Sequence, residues 1–281
     1  MSGTLYLCAT PIGNLEDITL RVLRLLREVD IIAAEDTRHT RKLLNHFEIT
    51  TPLTSYHEHN SRAKGSHLIN LLQSGKNIAL VTDAGMPAIS DPGVDIVRLC
   101  HTNNIPVTCA PGASAQSAAL AVSGLSSDSF SFEGFLPRDS KPRRECILEL
   151  INERRTCIFY EAPHRLKETV ADLAAHLNPE RNIAVISELT KLHEKTVIGK
   201  ITEVAAHIAE LTPRGEFVIV VEGVAKSEML AQERAEFASM TIAEHVEAYV
   251  KTGLDTKEAM KAVARDRGIG KSAVYKELLG K

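Results

Sequence analysis

The chain has 281 residues, of which 44% are hydrophobic and 25% are charged, as in a soluble globular protein of one or two domains. No apolar run approaches the ~20 residues of a membrane-spanning helix, and the first residues lack the basic start and long apolar stretch of a secretory signal, so we expect a cytoplasmic protein without a membrane partner. The net charge of −3 argues weakly against nucleic acid, although residues 251–281 alone contain eight basic and four acidic residues.

The first half of the chain alternates strand-like and helix-like segments. The predicted strands are residues 4–9, 30–34, 77–82 and 105–109. The predicted helices are residues 19–28, 37–47, 61–73 and 93–102. This rhythm predicts an α/β domain with a largely parallel sheet and covering helices.

A Pro-Gly turn at Pro111 and a small-residue helix over residues 114–122 mark a change, and we place a domain boundary there. The second half again alternates, with strands at 129–133, 156–161, 182–188, 193–198 and 216–222 and helices at 142–152 and 163–176. After Gly223 the strand signal stops, and helices are predicted at 228–239, 242–251, 256–267 and 271–279. We therefore expect α/β domains at 1–115 and 116–224 and a helical extension at 225–281, whose last two helices resemble a helix-turn-helix.

Common cofactor and metal motifs do not occur in the sequence. No GxGxxG follows a strand, and Gly270-Lys271-Ser272 lacks the first glycine of a P-loop. The five cysteines form no CxxC pair and are expected to be buried free thiols. His57 and His59 lack the helical spacing of a metal pair, so we expect no metal.

The informative segments follow predicted strands. Residues 83–93 combine two Asp, two Gly and two Pro, and ligands of parallel α/β sheets bind beyond the carboxyl ends of strands. Asp83 could accept hydrogen bonds from an ammonium or hydroxyl group, and Gly85 would let a ligand approach the backbone. The alternative is a structural loop in which Asp91 caps the next helix.

Three further segments have two interpretations each. The turn containing Pro11 could contribute to a ligand site at the end of its strand, or it could be an ordinary strand-to-helix connection, which its spacing alone favours. Ser114 could present a helix N-terminus to a polar ligand group, or simply cap that helix. The polar residues from Glu35 to Arg38 and from His57 to Asn60 could be functional or could only favour helix N-termini.

Taken together, these segments resemble the tetrapyrrole methylase superfamily, and most closely its bacterial ribosomal branch, the 16S rRNA cytidine 2′-O-methyltransferases. The matching stretches are ATPIGNLEDIT, AAEDTRHTRKLL, SYHEHN, LVTDAGMPAISDPG, APGASA, GFLPR, FYEAPHRL and GEFVIVVEG. Tetrapyrrole-acting members carry Gly-Asp-Pro near the position of Asp83-Ala84-Gly85, a difference that favours the ribosomal branch.

The resemblance implies two α/β domains that clasp S-adenosylmethionine in a cleft, a homodimer, no metal, and 16S rRNA of the small ribosomal subunit as partner. The modification it implies supports decoding fidelity. The implied cofactor contacts are Pro11, Thr82, Asp83, Ala84, Met86, Ser114, Ala115, Glu161 and Thr190.

Methyl transfer to a ribose hydroxyl benefits from a nearby base, because the hydroxyl is a poor nucleophile. Glu35, Asp36 and His57 are the candidates, while Arg38 and Arg41 could hold a phosphate beside them. RNA could also contact the basic run of Arg138, Lys141, Arg143 and Arg144, or the C-terminal helices. A porphyrinoid methyltransferase and a non-catalytic ribosome assembly factor remain as alternatives.

Overall fold

A computed structural model describes residues 2–225 and 240–279, which belong to two compact units. The larger unit comprises residues 1–151 and 155–222, and the smaller comprises residues 152–154 and 223–281. The helix expected over residues 228–239 lies outside the described residues.

The first sheet of the larger unit has five parallel strands in the order β3-β2-β4-β1-β5. The strands are β1 (Leu5–Cys8), β2 (Ile31–Ala34), β3 (Leu53–Ser55), β4 (Ile78–Val81) and β5 (Val107–Ala110). The helices between them are α1 (Leu20–Glu28), α2 (Thr37–His46), α3 (Ser61–Gln73) and α4 (Val94–Thr102). Single 3₁₀ turns lie at Leu15–Asp17 and Glu58–Asn60.

Burial on both faces explains why β4 is a continuous apolar run. Ala79 and Val81 pack in the cluster that contains Val22 of α1, whereas Ile78 and Leu80 pack with Leu68 of α3. Alternate residues of a strand point to opposite faces, so a sheet covered on both sides selects apolar residues at every position.

The second sheet is mixed, with strand order β6-β7-β10-β8-β9. Its strands are β6 (Phe130–Phe135), β7 (Thr156–Glu161), β8 (Asn182–Ser187), β9 (Lys195–Lys200) and β10 (Phe217–Val221). Only the β6–β7 pair is parallel, and its register shifts between Phe132 and Gly134.

Helices cover both faces of this sheet as well. On one face lie α6 (Ser140–Glu149), α7 (Leu166–His176) and α8 (Ile201–Glu210), and a 3₁₀ turn at Leu150–Asn152 follows α6. On the other face α5 (Ala115–Ser123) packs through Ala119 and Leu120 against Ile158 and Val220.

The smaller unit contains α9 (Ile242–Lys251), α10 (Thr256–Asp266) and α11 (Lys271–Leu279). Its own core includes Val246, Val263 and Val274, one from each helix. A capping box starts α9 at Thr241, and Gly268 adopts a left-handed conformation (φ 62°) in the turn between α10 and α11. Among the described helices, none is long and apolar enough to span a membrane.

The α/β class, the parallel first sheet and the C-terminal helices within residues 240–279 confirm the predicted fold. Two elements are not predicted from the sequence pattern. The strand β3 has only three residues, all half-buried, and the helix α8 follows β9 without an intervening turn. The expectation of buried thiols is wrong for Cys109, which is exposed on the edge strand β5.

Candidate active site

A cavity of ≈ 420 Å³ lies within the larger unit, at the carboxyl ends of the strands of the first sheet. Ile12, Glu35 and Asp83 line it from the loops after β1, β2 and β4. Tyr160 of β7 and Val218 of β10 line it from the second sheet. Both sheets therefore contribute to one concave site.

The loop between β4 and α4 is fixed against the turn after β1. Thr10 and Gly85 exchange two backbone hydrogen bonds of 2.9 and 3.0 Å, and the Thr10 hydroxyl donates to the Thr82 carbonyl at 3.0 Å. Gly85, Ala88 and Ser90 adopt left-handed conformations with φ of 77°, 68° and 60°. Non-glycine residues reach this region only at a cost of about 1–3 kcal/mol each, and such strain clusters at functional sites.

Three carboxyl groups line the part of the cavity formed by the first sheet: Glu35, Asp83 and Asp91. The backbone N–H of Asp36 donates to Asp83 Oδ1 at 3.2 Å, and the N–H of Asp83 donates to Glu35 Oε2 at 3.4 Å. Burial raises the pKa of Glu35, and the nearby charge of Asp83 adds to that rise. Burial, together with the charges of Glu35 and Asp83, raises the pKa of Asp91 to about 7.

Asp36 and Arg38 form a helix cap at the surface. Asp36 Oδ1 accepts from the Arg38 backbone N–H at 2.8 Å, and the Arg38 guanidinium donates to Asp36 Oδ2 at 2.7 Å. Those bonds hold the pKa of Asp36 well below its usual range. The Arg38 side chain is 89% exposed, and neither residue lines the cavity.

His57 lies after β3, beside the carboxyl cluster. Its positive charge would lower the pKa of Glu35, so the two side chains are within electrostatic reach. Asn60 orients it by accepting from the His57 backbone N–H at 3.0 Å, with the amide nitrogen of Asn60 3.0 Å from His57 Nε2. His57 Nδ1 is buried and has no hydrogen-bond partner among the described residues.

The N-terminus of α5 forms another wall. Ser114 occupies the N-cap position, but its side chain caps no backbone group and instead donates to the Ser117 hydroxyl at 3.2 Å. Ala115 and Gln116 line the cavity, and the Tyr160 hydroxyl donates to Gln116 Oε1 at 2.6 Å. Burial raises the pKa of Tyr160 to about 12, so this phenol stays protonated at neutral pH.

Glu161 lines the cavity although the protein already uses both of its oxygens. Oε2 accepts from the Thr169 hydroxyl at 2.6 Å, and Oε1 accepts from the Ala162 N–H at 2.8 Å and lies 3.5 Å from Arg165 Nε. This buried carboxylate holds the start of α7 against the end of β7.

Thr190 belongs to a strained loop after β8, where its φ is 65°. Leu189 and Lys191 line the cavity on either side of it, whereas Thr190 does not. A Cβ at Gly13 would lie only 2.6 Å from Lys191 Cγ and 3.0 Å from Thr190 Oγ1. The absence of a side chain at Gly13 lets this loop approach the turn after β1.

The expected cofactor contacts divide into two sets. Those that line the cavity are Asp83, Ala84, Met86, Ser114, Ala115 and Glu161. Pro11, Thr82 and Thr190 do not line it, but each is next in sequence to a residue that does. Of the expected catalytic residues, only Glu35 lines it.

Besides the helix cap by the Ser114 side chain, two interpretations from the sequence are wrong. Asp91 does not cap α4, because the N-cap is Gly93 and no side-chain cap hydrogen bond forms there. Arg143 is not available to RNA: its side chain is 1% exposed and ion-paired with Glu168 and Asp172, whereas Arg138, Lys141 and Arg144 are exposed.

Several cavity residues are not predicted from the sequence, among them Asp91, Gln116, Tyr160 and Lys191. Asp91 carried a signal, since its loop had been singled out. The others stand in ordinary helix, strand and loop contexts without a motif. No group of three potential metal ligands occurs within residues 2–225 and 240–279.

A profile of the family described as Tetrapyrrole (Corrin/Porphyrin) Methylases matches residues 4–205. A protein from Halalkalibacterium halodurans named Ribosomal RNA small subunit methyltransferase I is 50% identical over 273 residues, 97% of this chain and 93% of its own. A protein of the same name from Thermotoga maritima is 46% identical over 221 residues, 79% of this chain and 99% of its own.

Solved structures share the fold. Uroporphyrin-III-C-methyltransferase from Thermus thermophilus superposes with a TM-score of 0.56 and 21% identity over 82% of this chain and 98% of its own. Diphthine synthase gives a TM-score of 0.60 at 15% identity over 79% of this chain and 90% of its own. At these identities the likeness concerns architecture alone.

Proposed function

The chain belongs to the tetrapyrrole (corrin/porphyrin) methylase family, and from that premise we propose that it methylates a cytidine ribose 2′-oxygen of 16S rRNA in the small ribosomal subunit, with S-adenosylmethionine as donor. The observation that carries the proposal is the match to relatives named as small-subunit rRNA methyltransferases, 41–50% identical over 97–98% of this chain. The choice of ribose oxygen and cytidine follows from the sequence resemblance, as does a role in decoding fidelity.

The cavity suits S-adenosylmethionine in size and in charge. Its ≈ 420 Å³ falls within the range of small-molecule sites, and Ile12, Met86 and Leu189 provide apolar surface. Glu35 and Asp83 provide negative charge for a ligand that carries a sulfonium and an ammonium group. Bound there, S-adenosylmethionine would supply an electrophilic methyl group attached to a positively charged sulfur.

The residues of the chain need to do three things. They hold the acceptor oxygen in line with the methyl carbon, which removes the entropic cost of a bimolecular encounter. They exclude water, for which the two sheets of the cavity are suited. They accept the hydroxyl proton. Among the candidates from the sequence Glu35 fits best, because it lines the cavity whereas Asp36 and His57 do not, and because Arg38 keeps Asp36 ionised.

Exposed basic residues near the carboxyl ends of the first sheet are suited to RNA. Arg38, Arg41 and Lys42 of α2 are exposed, and α2 begins at Thr37, close to Glu35 in the sequence. Cations of this kind bind phosphates and orient the RNA without reading its sequence. We assign the smaller unit an auxiliary part, because the match to the family profile, residues 4–205, ends before the helices of that unit begin.

The ribosomal substrate would place the reaction in the cytoplasm, and the resemblance further implies a homodimer.

A labelling experiment separates the proposal from its alternatives. Purified enzyme is incubated with methyl-labelled S-adenosylmethionine and either small ribosomal subunits or a precorrin-type tetrapyrrole, with Asp83→Ala as the cavity variant and Asp95→Asn as the surface control.

Label is expected in 16S rRNA with the unaltered enzyme and the control, and in neither substrate with Asp83→Ala. Label in the tetrapyrrole would instead establish a small-molecule methyltransferase. Binding to subunits with no label in any substrate would establish an assembly factor.

A further inference from the structure

Asp91 places a carboxyl group in the cavity that no other described residue engages. It is half-buried and lines the site together with Glu35 and Asp83. Among the described residues none donates a hydrogen bond to its carboxyl oxygens. A half-buried carboxyl group in a cavity that accepts no hydrogen bond from the described residues is available to a ligand bound there.

The loop around Asp91 holds it in place at the expense of backbone strain. Ala88 and Ser90 are both left-handed, and the Ala88 N–H donates to the Pro92 carbonyl at 3.3 Å across the loop. Gly93 packs so tightly beneath Ala88 that a Cβ at Gly93 would lie 3.0 Å from Ala88 N. Since Asp91 caps no helix, capping does not account for this arrangement.

The charged and titratable groups around Asp91 come from three elements. Glu35 follows β2 and Asp83 follows β4, and the negative charges of both reinforce the effect of burial on Asp91. From the second sheet, Tyr160 senses the charge of Asp91, but its hydroxyl is bonded to Gln116. With a pKa of about 7, Asp91 is a carboxylate for part of the molecules at neutral pH and binds a proton more strongly than an ordinary aspartate.

The other carboxyl groups are less suited to proton transfer. Asp36 lies outside the cavity lining, and its hydrogen bonds with Arg38 hold its pKa well below its usual range, so it has little tendency to accept a proton. Asp83 Oδ1 and Glu35 Oε2 already accept backbone N–H groups. Of these four residues, only Asp91 both lines the cavity and accepts no hydrogen bond from a described residue on either carboxyl oxygen, and its pKa is raised to about 7.

We propose that Asp91 is the catalytic base that removes the proton from the acceptor ribose hydroxyl. In this step the O–H bond breaks and its proton passes to a carboxyl oxygen of Asp91. The electron pair left on oxygen forms the new bond to the methyl carbon, and the electrons of the breaking C–S bond stay on sulfur as a neutral thioether. This assignment rests on the proposed ribose methylation.

The test compares Asp91→Asn, which keeps the shape and removes the base, with Asp95→Asn, an exposed neighbour on α4. Single-turnover methylation of small subunits is followed from pH 5.5 to 9, and donor affinity and thermal unfolding are measured in parallel. With the unaltered enzyme and with Asp95→Asn, the rate should rise with pH to a plateau, because the base must be ionised. Asp91→Asn should lose about 100-fold or more in rate and lose that rise, with donor affinity changed less than about threefold.

A rate of Asp91→Asn within threefold of the unaltered enzyme, or an unchanged pH profile, would overturn the assignment. Equal losses in rate and donor affinity would overturn it too, since Asp91 would then be a binding residue. If Asp91→Asn does not fold, the pH dependence of the single-turnover rate of the unaltered enzyme is the test. A rate that does not change with pH would rule out Asp91 as the base. Nucleoside mass spectrometry of the RNA treated with the unaltered enzyme shows whether the ribose is methylated. If it is, a negative result with Asp91→Asn overturns only the role of Asp91. If it is not, the proposed function fails, and the role of Asp91 fails with it.

Discussion

At the scale of single residues, Arg143 is a buried cation of α6 that stabilises the packing of α6 against α7. Its guanidinium pairs with Asp172 at 2.7 Å and with Glu168, and it donates to the Arg138 carbonyl at 3.1 Å. Those bonds join the segment before α6 to α7. Replacing the arginine leaves the carboxylates of Asp172 and Glu168 without the opposite charge that they pair with.

We therefore expect Arg143→Met to lower the free energy of unfolding by about 1–3 kcal/mol, with RNA affinity unchanged for the folded protein. Arg144→Ala removes an exposed charge one position away and should stay within about 0.5 kcal/mol. Urea unfolding and RNA binding of both variants check this. A loss of RNA affinity in folded Arg143→Met would show that this residue does contact RNA.

Cavity residues could be predicted from the sequence where a polar residue directly follows a buried strand. Asp83 and Glu35 follow buried strands, and the carboxyl ends of parallel strands meet at one edge, so their convergence on the cavity follows from the pattern. Tyr160 and Lys191 could not be predicted, because their place depends on the register of β7 and on the left-handed backbone at Thr190.

At the scale of elements, the segment from Thr82 to Gly93 shapes the cavity more than any helix or strand. Its bridge to Thr10 and its left-handed residues give it a defined course without regular secondary structure. The sequence predicts that a ligand loop exists here, but not its conformation, since φ at Ala88 and Ser90 is imposed by contacts such as that between Ala88 and Gly93.

Gly93 should be intolerant of a side chain. It has φ 149°, and a Cβ would lie 3.0 Å from both Ala88 N and Ala88 Cβ, so Gly93→Ala should cost about 2–3 kcal/mol of stability and weaken donor binding. Gly124→Ala is the control, because Gly124 also has positive φ but nothing lies within 4 Å of a Cβ there, and about 1 kcal/mol is expected. Equal losses of stability in the two variants would contradict the crowding argument.

At the scale of the whole molecule, the protein combines an α/β unit that contains the cavity with a separate helical unit. The α/β class could be predicted because period-two and helical patterns alternate along the chain. The strand order and the burial of Arg143 depend on contacts distant in sequence, which no local pattern records.

The helical unit should add electrostatic affinity for RNA. Lys257, Lys261, Lys271 and Lys276 are exposed and form no ion pair with a described residue. Replacing all four with Gln should reduce the slope of log K against log salt by about 0.7 for each lost phosphate contact and leave donor affinity unchanged.

The control replaces Lys251 and Arg265, which are already paired with Glu247 and Asp266, and should change the slope less for each charge removed. Filter binding at several salt concentrations measures both variants. An unchanged slope in the four-lysine variant would mean that these lysines do not contact RNA phosphates, contrary to the prediction.

The most direct test of the account is the chemical identity of the methylated nucleoside. Small subunits treated with the enzyme and labelled S-adenosylmethionine are digested to nucleosides, which are separated and analysed by mass spectrometry. We predict label in 2′-O-methylcytidine from 16S rRNA, with the added mass on the ribose fragment. A labelled methyl group on a base, in another RNA or in no RNA would contradict the account.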